Sequence, residues 1–286
     1  MLESLINPKK AEKRPWEMFL IGLFYGSISM LLAYFVFAKD VVNSQYIGWI
    51  VVMFCVIFSM PFIYYTIRLE ERKDEEIDSE WRLLREHGKA LLAFLWLFVG
   101  FVVAFSFWHM ALPDGENLLR AQISTFCQIN QPDNYQSCLK QYNVGETNKI
   151  VGNFSSSERL FSIFSNNVYV LIFALLFSII MGAGAIFVLA WNASVIAAAI
   201  GIFASSNIMN MPLGLARYMI HGLPEIAAYF IGALAGGILS VAIIRHEYRS
   251  GKFWGIVQDS LNLIVVALII LFISALIEVF ITPNLF

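Results

Sequence analysis

The last long apolar stretch of the chain, "LNLIVVALIILFISALIEVFIT" at 261–282, decides the class of fold. Glu278 is its one charged residue. A helix needs about 20 predominantly apolar residues to cross the roughly 30 Å hydrocarbon core of a bilayer. The stretch is long enough, so it predicts a membrane-spanning helix and therefore an integral membrane protein.

The rest of the chain has the same character. Of its 286 residues, 59% are hydrophobic and 14% are charged, and the mean hydropathy is +0.70. These values lie outside the range of soluble globular proteins. We therefore predict an all-α polytopic bundle. Five further apolar runs have spanning length: 17–37, 46–67, 90–111, 167–191 and 226–244.

The segment "ASVIAAAIGIFA" at 193–204 is harder to interpret. It is nearer the length of a buried or re-entrant segment than of a full span, and it runs into polar residues and Pro212. We interpret 193–222 as one broken or re-entrant crossing. The bundle then has about seven spans.

The positions of lysine and arginine predict the orientation, because short cytoplasmic loops carry an excess of both. Basic clusters precede the first span, separate the second from the third and separate the last two. Placing all three in the cytoplasm requires an odd number of crossings. We therefore expect a multi-pass protein of the plasma membrane with a cytoplasmic N-terminus and an extracellular C-terminus.

This topology divides the chain into five parts. They are a cytoplasmic segment at 1–16, three spans at 17–111 with a charged cytoplasmic loop at 68–89, an extracellular loop at 112–165, a core of spans at 166–250, and a final span at 251–286.

The loop at 112–165 holds two of the three cysteines, Cys127 and Cys138. Because an oxidising compartment favours disulfides, we expect these two to be bonded. "NFS" at Asn153 is an acceptor sequon for N-glycosylation. A loop of this length is more than a connector, so we expect a small cap that contacts an extracellular or membrane protein partner.

Small residues recur in two of the spans. "SIIMGAGAIF" at 178–187 holds Gly182 and Gly184, and "IGALAGGILS" at 231–240 holds Gly232 and Gly236. Small residues four apart let helix backbones approach closely in lipid. We expect these glycines to pack the spans together, with a homodimer seam as the alternative.

Three ionisable residues interrupt the apolar stretch "LARYMIHGLPEIAAYF" at 215–230, namely Arg217, His221 and Glu225. Such groups are costly at membrane depth unless they pair or line a cavity. Pro224 predicts a helix break near Gly222. By depth, Glu278 could approach Glu225.

Three interpretations of this polar cluster stay open. The first is a buried network that holds the helices together, and the second is a cavity for a cation, a proton or a polar headgroup. The third, a catalytic metal site, is the least favoured, because one histidine and one carboxylate are too few ligands for zinc.

Sequence motifs for common enzymes are absent. The chain has no Gly-x-x-x-x-Gly-Lys, His-Glu-x-x-His or Gly-x-Ser-x-Gly pattern. The net charge is −2, and the charged segment at 68–89 has no basic excess, so nothing indicates nucleic acid. We expect a non-enzymatic protein with no cofactor and no metal, whose partners are the lipid bilayer and other proteins.

Several residues carry a family resemblance. Asn166 and Asn167 open a predicted span, Asn192 stands at a predicted turn, and His221, Gly222 and Glu225 form His-Gly-x-x-Glu before a helix rich in small residues. This pattern resembles the stage II sporulation protein M family. "NPKKAEKRPWEMF" at 7–19 resembles its archaeal-type branch. Ala193 departs from the pattern, since many members have glycine there.

The resemblance implies the architecture, a non-enzymatic role and functional weight on His221 and Glu225. Members in sporulating bacteria act as scaffolds in a complex that recruits cell-wall hydrolases. We therefore expect a scaffold or membrane-remodelling component of a membrane complex. The alternative is a channel or transporter for an ion or small polar solute, through a cavity that contains Arg217, His221 and Glu225. An intramembrane enzyme is the third hypothesis.

Overall fold

The computed structural model describes residues 7–38, 40, 46–76, 80–113, 115–130, 135–141, 156–181, 184–204, 211–244 and 252–285. In these ranges every regular element is a helix. The helices are α1 (Pro8–Lys13), α2 (Glu17–Phe37), α3 (Ile47–Glu76), α4 (Glu80–Ala111), α5 (Gly115–Leu118), α6 (Arg120–Asn130), α7 (Tyr135–Gln141), α8 (Ser156–Met181), α9 (Gly184–Ala204), α10 (Met211–Ile244), α11 (Lys252–Leu276), a π-helical turn (Ile277–Ile281) and α12 (Thr282–Leu285).

Seven segments of the described helices are long and apolar enough to cross a membrane. This confirms the prediction of an all-α polytopic bundle. The segments are Glu17–Phe37, Ile47–Glu70, Arg85–Ala111, Ser157–Ile179, Ile186–Phe203, Pro212–Ile244 and Phe253–Leu285.

The prediction of one broken crossing at 193–222 was wrong. The apolar run at 167–191 belongs to two helices, because α8 ends at Met181 and α9 begins at Gly184. Residues 193–204 are therefore the second half of a complete span. The polar residues after it, 205–210, lie outside the described residues.

The expected helix break near Gly222 is also absent, since α10 continues from Met211 to Ile244 with Pro224 inside it. A proline frees backbone carbonyls in the preceding turn, and a membrane helix tolerates this when a neighbouring hydroxyl bonds to them. Ser274 Oγ lies 2.8 Å from the carbonyl oxygen of His221, in that turn. The neighbouring helix α11 thus supplies a donor beside the proline.

The spans pack as two groups with α9 between them. In the first group, α2 and α4 approach closely where Gly22 faces the carbonyl oxygen of Leu97. In the second group, α10 packs between α8 and α11. Helix α9 contacts both groups through α4 and α10. This arrangement places one face of α10 toward both α8 and α9.

Glycines determine how closely α10 meets α8. A side chain at Gly232 would collide with Leu171, and one at Gly236 would collide with the carbonyl oxygen of Leu175. Of the other two predicted packing glycines, Gly184 begins α9, and Gly182 lies outside the described residues.

The segment between α4 and α8 forms a small helical cap. Cys127 of α6 and Cys138 of α7 form a disulfide, with their Cα atoms 5.8 Å apart. Gln122 of α6 donates from Nε2 to the carbonyl oxygen of Gly48 at 3.0 Å, which binds the cap to the start of α3. Asn153, the predicted glycosylation site, lies outside the described residues.

Candidate functional site

A cavity of about 990 Å³ lies between α8, α9 and α10, with α6 of the cap at one end. On α8 its lining runs from Arg159 to Phe173, and on α10 it runs from Tyr218 to Tyr229. At 1.5 Å per residue these stretches are about 21 Å and about 16 Å long. The cavity therefore extends through roughly half of a 30 Å hydrocarbon core.

Glu225 is held at the deep end of this cavity by a row of hydrogen bonds. Asn167 Nδ2 donates to Glu225 Oε1 at 2.7 Å, and the hydroxyl of Tyr229 donates to Asn167 Oδ1 at 2.9 Å. Ser274 Oγ also lies 3.3 Å from Glu225 Oε1. All these bonds reach Oε1, and within the described residues Oε2 accepts none, so Glu225 keeps an acceptor for a ligand.

Glu278 adds a second carboxylate to the cavity wall from the π-helical turn that extends α11. It is close enough to Glu225 for the two carboxylates to repel each other, and Arg159 is close enough to attract it. Both carboxylates are partly accessible. A ligand that carries positive charge would relieve their repulsion.

His221 lines the same cavity one turn from Glu225 and is half-buried. Its Nδ1 lies 3.4 Å from Thr282 Oγ1. Thr282 Oγ1 in turn donates to the carbonyl oxygen of Ile277 at 3.2 Å. The histidine thus joins the start of α12 to the cavity wall.

Arg217 is the predicted cluster residue that the cavity lining does not include. In the continuous helix α10, eight residues separate Arg217 from Glu225, and they correspond to a rotation of about 80°. Within the described residues Arg217 makes no ion pair with Glu225. The guanidinium group in the cavity lining is that of Arg159, which sequence analysis did not single out.

Asn166, Asn167 and Asn192 lie inside helices and not at the start of a span or at a turn. All three line the cavity, which explains why an apolar span accommodates them. Asn192 donates from Nδ2 to the carbonyl oxygen of Val188 in its own helix at 2.7 Å. Asn167 is buried and contacts Glu225, whereas Asn166 is exposed.

The cavity closes below Tyr229. There Gly232 and Gly236 bring α10 against α8, as described above. Phe230 of α10 also stacks on Phe94 of α4, with their ring centroids 4.5 Å apart. The described residues therefore form a blind cavity that begins at the cap side. They contain no group of three or more His, Cys, Asp or Glu side chains arranged to hold a metal ion.

A second polar cluster lies at the opposite end of the bundle, among α1, α3 and α4. Lys73 Nζ lies 2.7 Å from both Glu12 Oε1 and Glu70 Oε1, and His87 Nδ1 lies 2.8 Å from Glu70 Oε2. The Glu70 side chain is fully buried. Sequence analysis placed Glu70, Lys73 and His87 in a charged cytoplasmic loop at 68–89, but α3 continues to Glu76 and Glu70 is packed inside.

Burial raises the pKa of Glu12 to about 7. Glu70 also raises this pKa, whereas the positive charge of Lys73 lowers it. Burial disfavours the charge on Lys73, but Glu70 and Glu12 together hold its pKa above the ordinary value. The cluster therefore binds α1 to the bundle through one cation shared between two carboxyl groups.

A comparison with protein families matches residues 19–283 to the model described as Stage II sporulation protein M. The chain belongs to the stage II sporulation protein M family. The match runs from the first span to the last, so the family includes the whole bundle and not only the 166–250 core that carried the resemblance. Comparisons with curated proteins and with solved structures found no match.

All the lining residues of the cavity lie within the matched region 19–283. His221 and Glu225, which the family resemblance emphasised, are both in its wall. Glu278 and Asn167 complete the site. Sequence analysis singled out Glu278 as the one charge in 261–282 and as a residue that could approach Glu225, whereas the bond between Asn167 and Glu225 depends on how α8 and α10 pack.

Proposed function

We propose that this stage II sporulation protein M family member is a non-enzymatic membrane protein that binds a small cation-bearing ligand in its cap-side cavity, as the binding step of transport. The observation that carries this proposal is the pair of partly accessible carboxylates, Glu225 and Glu278, within membrane-spanning helices. Ionisable residues at such depth mark ion or substrate pathways.

The geometry supports binding more than catalysis. Glu225 is held by amide and hydroxyl donors, as a ligand-binding carboxylate is. Thr282, the hydroxyl nearest to His221, is not in the cavity wall and donates to its own helix. Ser274, whose hydroxyl lies beside Glu225, is likewise not in the cavity wall, and its Oγ lies 2.8 Å from the carbonyl oxygen of His221.

A cavity closed at one end is expected of a transporter in one of its two access states. Transport would require the packing at Gly232 and Gly236 to open while the cap side closes. Pro224 lies in the stretch of α10 that lines the cavity, eight residues before Gly232, and a helix bends most easily at a proline.

We also propose that the cap is extracellular and the N-terminus cytoplasmic, in the plasma membrane. The basic clusters before the first span and between later spans support this orientation. The disulfide between Cys127 and Cys138 supports it independently, because disulfides persist in oxidising compartments.

The second candidate is the scaffold or membrane-remodelling component of a membrane complex, alone or as a homo-oligomer. The specific observation in its favour is the cap, which the disulfide and the bond from Gln122 hold as a firm surface for a protein partner. A scaffold needs no hydrated cavity, and this difference separates the two candidates.

Cysteine labelling in proteoliposomes tests the proposal. Cys55 is first replaced by alanine, and the bonded pair Cys127 and Cys138 is kept. Glu225→Cys is then treated with a small membrane-impermeant thiol reagent from each side. We expect labelling from the cap side alone, and no labelling of the matched control Ala233→Cys, which is buried in the same helix. Protection of Glu225→Cys from both sides would overturn the cavity proposal and leave the scaffold.

A further inference from the structure

The cavity opens toward lipid as well as toward the cap. Tyr169 and Phe173 line it, yet 72% of Tyr169 and 44% of Phe173 are exposed on the surface of α8. Both residues lie within a span, where an exposed side chain faces the bilayer. The opening therefore lies between α8 and α9, at the level of acyl chains.

The end nearest the cap is partly covered. Phe126 of α6 is buried and forms an edge-to-face pair with Tyr218 of α10, with ring centroids 6.0 Å apart. Both residues line the cavity. A water-soluble ligand would have to pass this aromatic pair, whereas a ligand in the membrane would pass between α8 and α9.

The lining of the cavity combines two kinds of chemistry. Glu225, Glu278 and Asn167 supply polar groups, whereas Val170 and Phe173 on α8 and Phe187 on α9 supply apolar ones. The rings of Phe173 and Phe187, 6.1 Å apart, form the deep end of the opening. Such a cavity matches an amphiphile whose polar group meets the carboxylates and whose chains remain in the bilayer.

The charges specify the polar group. Two carboxylates, with Glu225 Oε2 free of hydrogen bonds from the described residues, suit an ammonium with its three donors. Arg159 lies eight residues, just over two turns, toward the cap from Asn167, and its guanidinium suits a phosphate. A primary ammonium can donate to both carboxylates, whereas a quaternary one has no N–H, so a primary amine fits the site better.

We infer that the cavity binds the headgroup of a phospholipid with a primary amine, such as phosphatidylethanolamine, which enters sideways between α8 and α9. The ammonium meets Glu225 and Glu278, the phosphate meets Arg159, and the acyl chains leave past Tyr169 and Phe173. This inference rests on the proposed function and specifies its ligand.

Native mass spectrometry of the full chain tests the inference. The detergent-purified protein is delipidated and titrated with phosphatidylethanolamine, phosphatidylcholine or phosphatidylglycerol of equal chain length. We expect phosphatidylethanolamine to bind about tenfold more tightly than either competitor, the size expected of one hydrogen bond to a charged group. Equal binding of all three lipids would overturn the inference.

Two pairs of variants locate the lipid. Glu225→Gln should lose the preference for phosphatidylethanolamine, while Glu158→Gln, exposed at the start of α8, should keep it. Val170→Trp fills the cavity and should block binding, while Leu176→Trp, on the exposed lipid face of the same helix, should not. Thermal denaturation checks that each variant folds. If Glu225→Gln fails to fold, Glu278→Gln replaces it.

Soluble phosphoethanolamine, which has the headgroup without acyl chains, separates the two proposals. Weaker binding of this compound than of the lipid is expected, because it lacks the chains. Equally tight binding would overturn the lipid inference and leave the cation-binding proposal standing. If neither compound binds but Glu225→Cys is labelled from the cap side, the lipid inference fails alone. If Glu225→Cys is protected from both sides, both proposals fail.

Discussion

Asn167 of α8 donates to Glu225 of α10 across the helix interface, with Nδ2 and Oε1 2.7 Å apart. The same amide accepts from the hydroxyl of Tyr229 at 2.9 Å. One side chain therefore holds both a carboxylate of the cavity and a buried phenol. Hydrogen bonds to a charged group stabilise more than neutral ones, so Asn167 links the stability of the bundle to the state of the site.

Replacing Asn167 by alanine should lower the free energy of unfolding by about 1–3 kcal/mol, because it leaves Glu225 and Tyr229 without their shared partner. The matched control is Asn166→Ala, which removes an exposed amide from the neighbouring position and should change stability by less than about 0.5 kcal/mol. Thermal denaturation of both variants in detergent measures the difference. Equal losses from the two variants would contradict the role given to Asn167.

Gly236→Ala should destabilise the bundle, because its new methyl group would collide with the carbonyl oxygen of Leu175. Overpacking of this kind typically costs about 1–3 kcal/mol. Gly255→Ala is the control, since nothing lies within 4 Å of a side chain added there. Its expected effect is neutral or slightly stabilising, because alanine favours a helix. The apparent Tm of each variant measures its change in stability. A Gly236→Ala variant with the Tm of the wild type would contradict close packing of α10 on α8.

The class of fold could be predicted because its signal is local. A run such as 261–282 is too apolar and too long for a soluble protein, whatever it packs against. The boundaries were less predictable. The run at 167–191 looks like one span, and only the packing of α8 and α9 shows that it contains the end of one helix and the start of another.

Some residues of the site could also be predicted, because their signal is local. His221 and Glu225 stand out as ionisable residues in an apolar stretch, and both are in the cavity wall. Arg217 stands out equally, but its position on the face of α10 depends on the helix continuing through Pro224. Glu70 was missed because a buried carboxylate and a solvated one look alike in a charged sequence. Its burial depends on α1 and α4, which bring Glu12 and His87 to Glu70 and Lys73 of α3.

Removing the disulfide should loosen the cap. In Cys127→Ser/Cys138→Ser, the loss of an 11-residue crosslink is expected to cost about 2–3 kcal/mol. Hydrogen exchange at 115–130 should rise, and because Phe126 covers the cavity, labelling of Glu225→Cys from the cap side should accelerate. Cys55→Ala is the control, because it removes a free buried cysteine that lies in α3 and not in the cap. Unchanged exchange in the cap would show that the Gln122 bond and apolar packing hold it without the disulfide.

The attachment of α1 should depend on pH. The pKa of Glu12 is raised from 4.5 to about 7 when α1 is docked, mainly by burial. Because the pKa of Glu12 is higher when α1 is docked than when it is not, protonation of Glu12 stabilises docking. This stabilisation is fully present below about pH 4.5 and is lost as pH rises through about 7. Between pH 6 and pH 8 we expect docking to weaken by about 1 kcal/mol. Trypsin cleavage after Lys9, Lys10 and Lys13 should accelerate over this range.

Glu12→Gln separates the titration of Glu12 from general effects of pH on the protease and the protein. Glutamine keeps the size of the side chain and cannot ionise, so the acceleration of cleavage in α1 should disappear while cleavage elsewhere in the chain keeps its pH profile. Arg14→Gln is a second control, because Arg14 is exposed and its ion pair with Glu17 lies outside the cluster. A pH profile that is the same in wild type and Glu12→Gln would mean that another group controls the docking of α1. A flat wild-type profile would mean that Lys73 holds Glu12 ionised throughout.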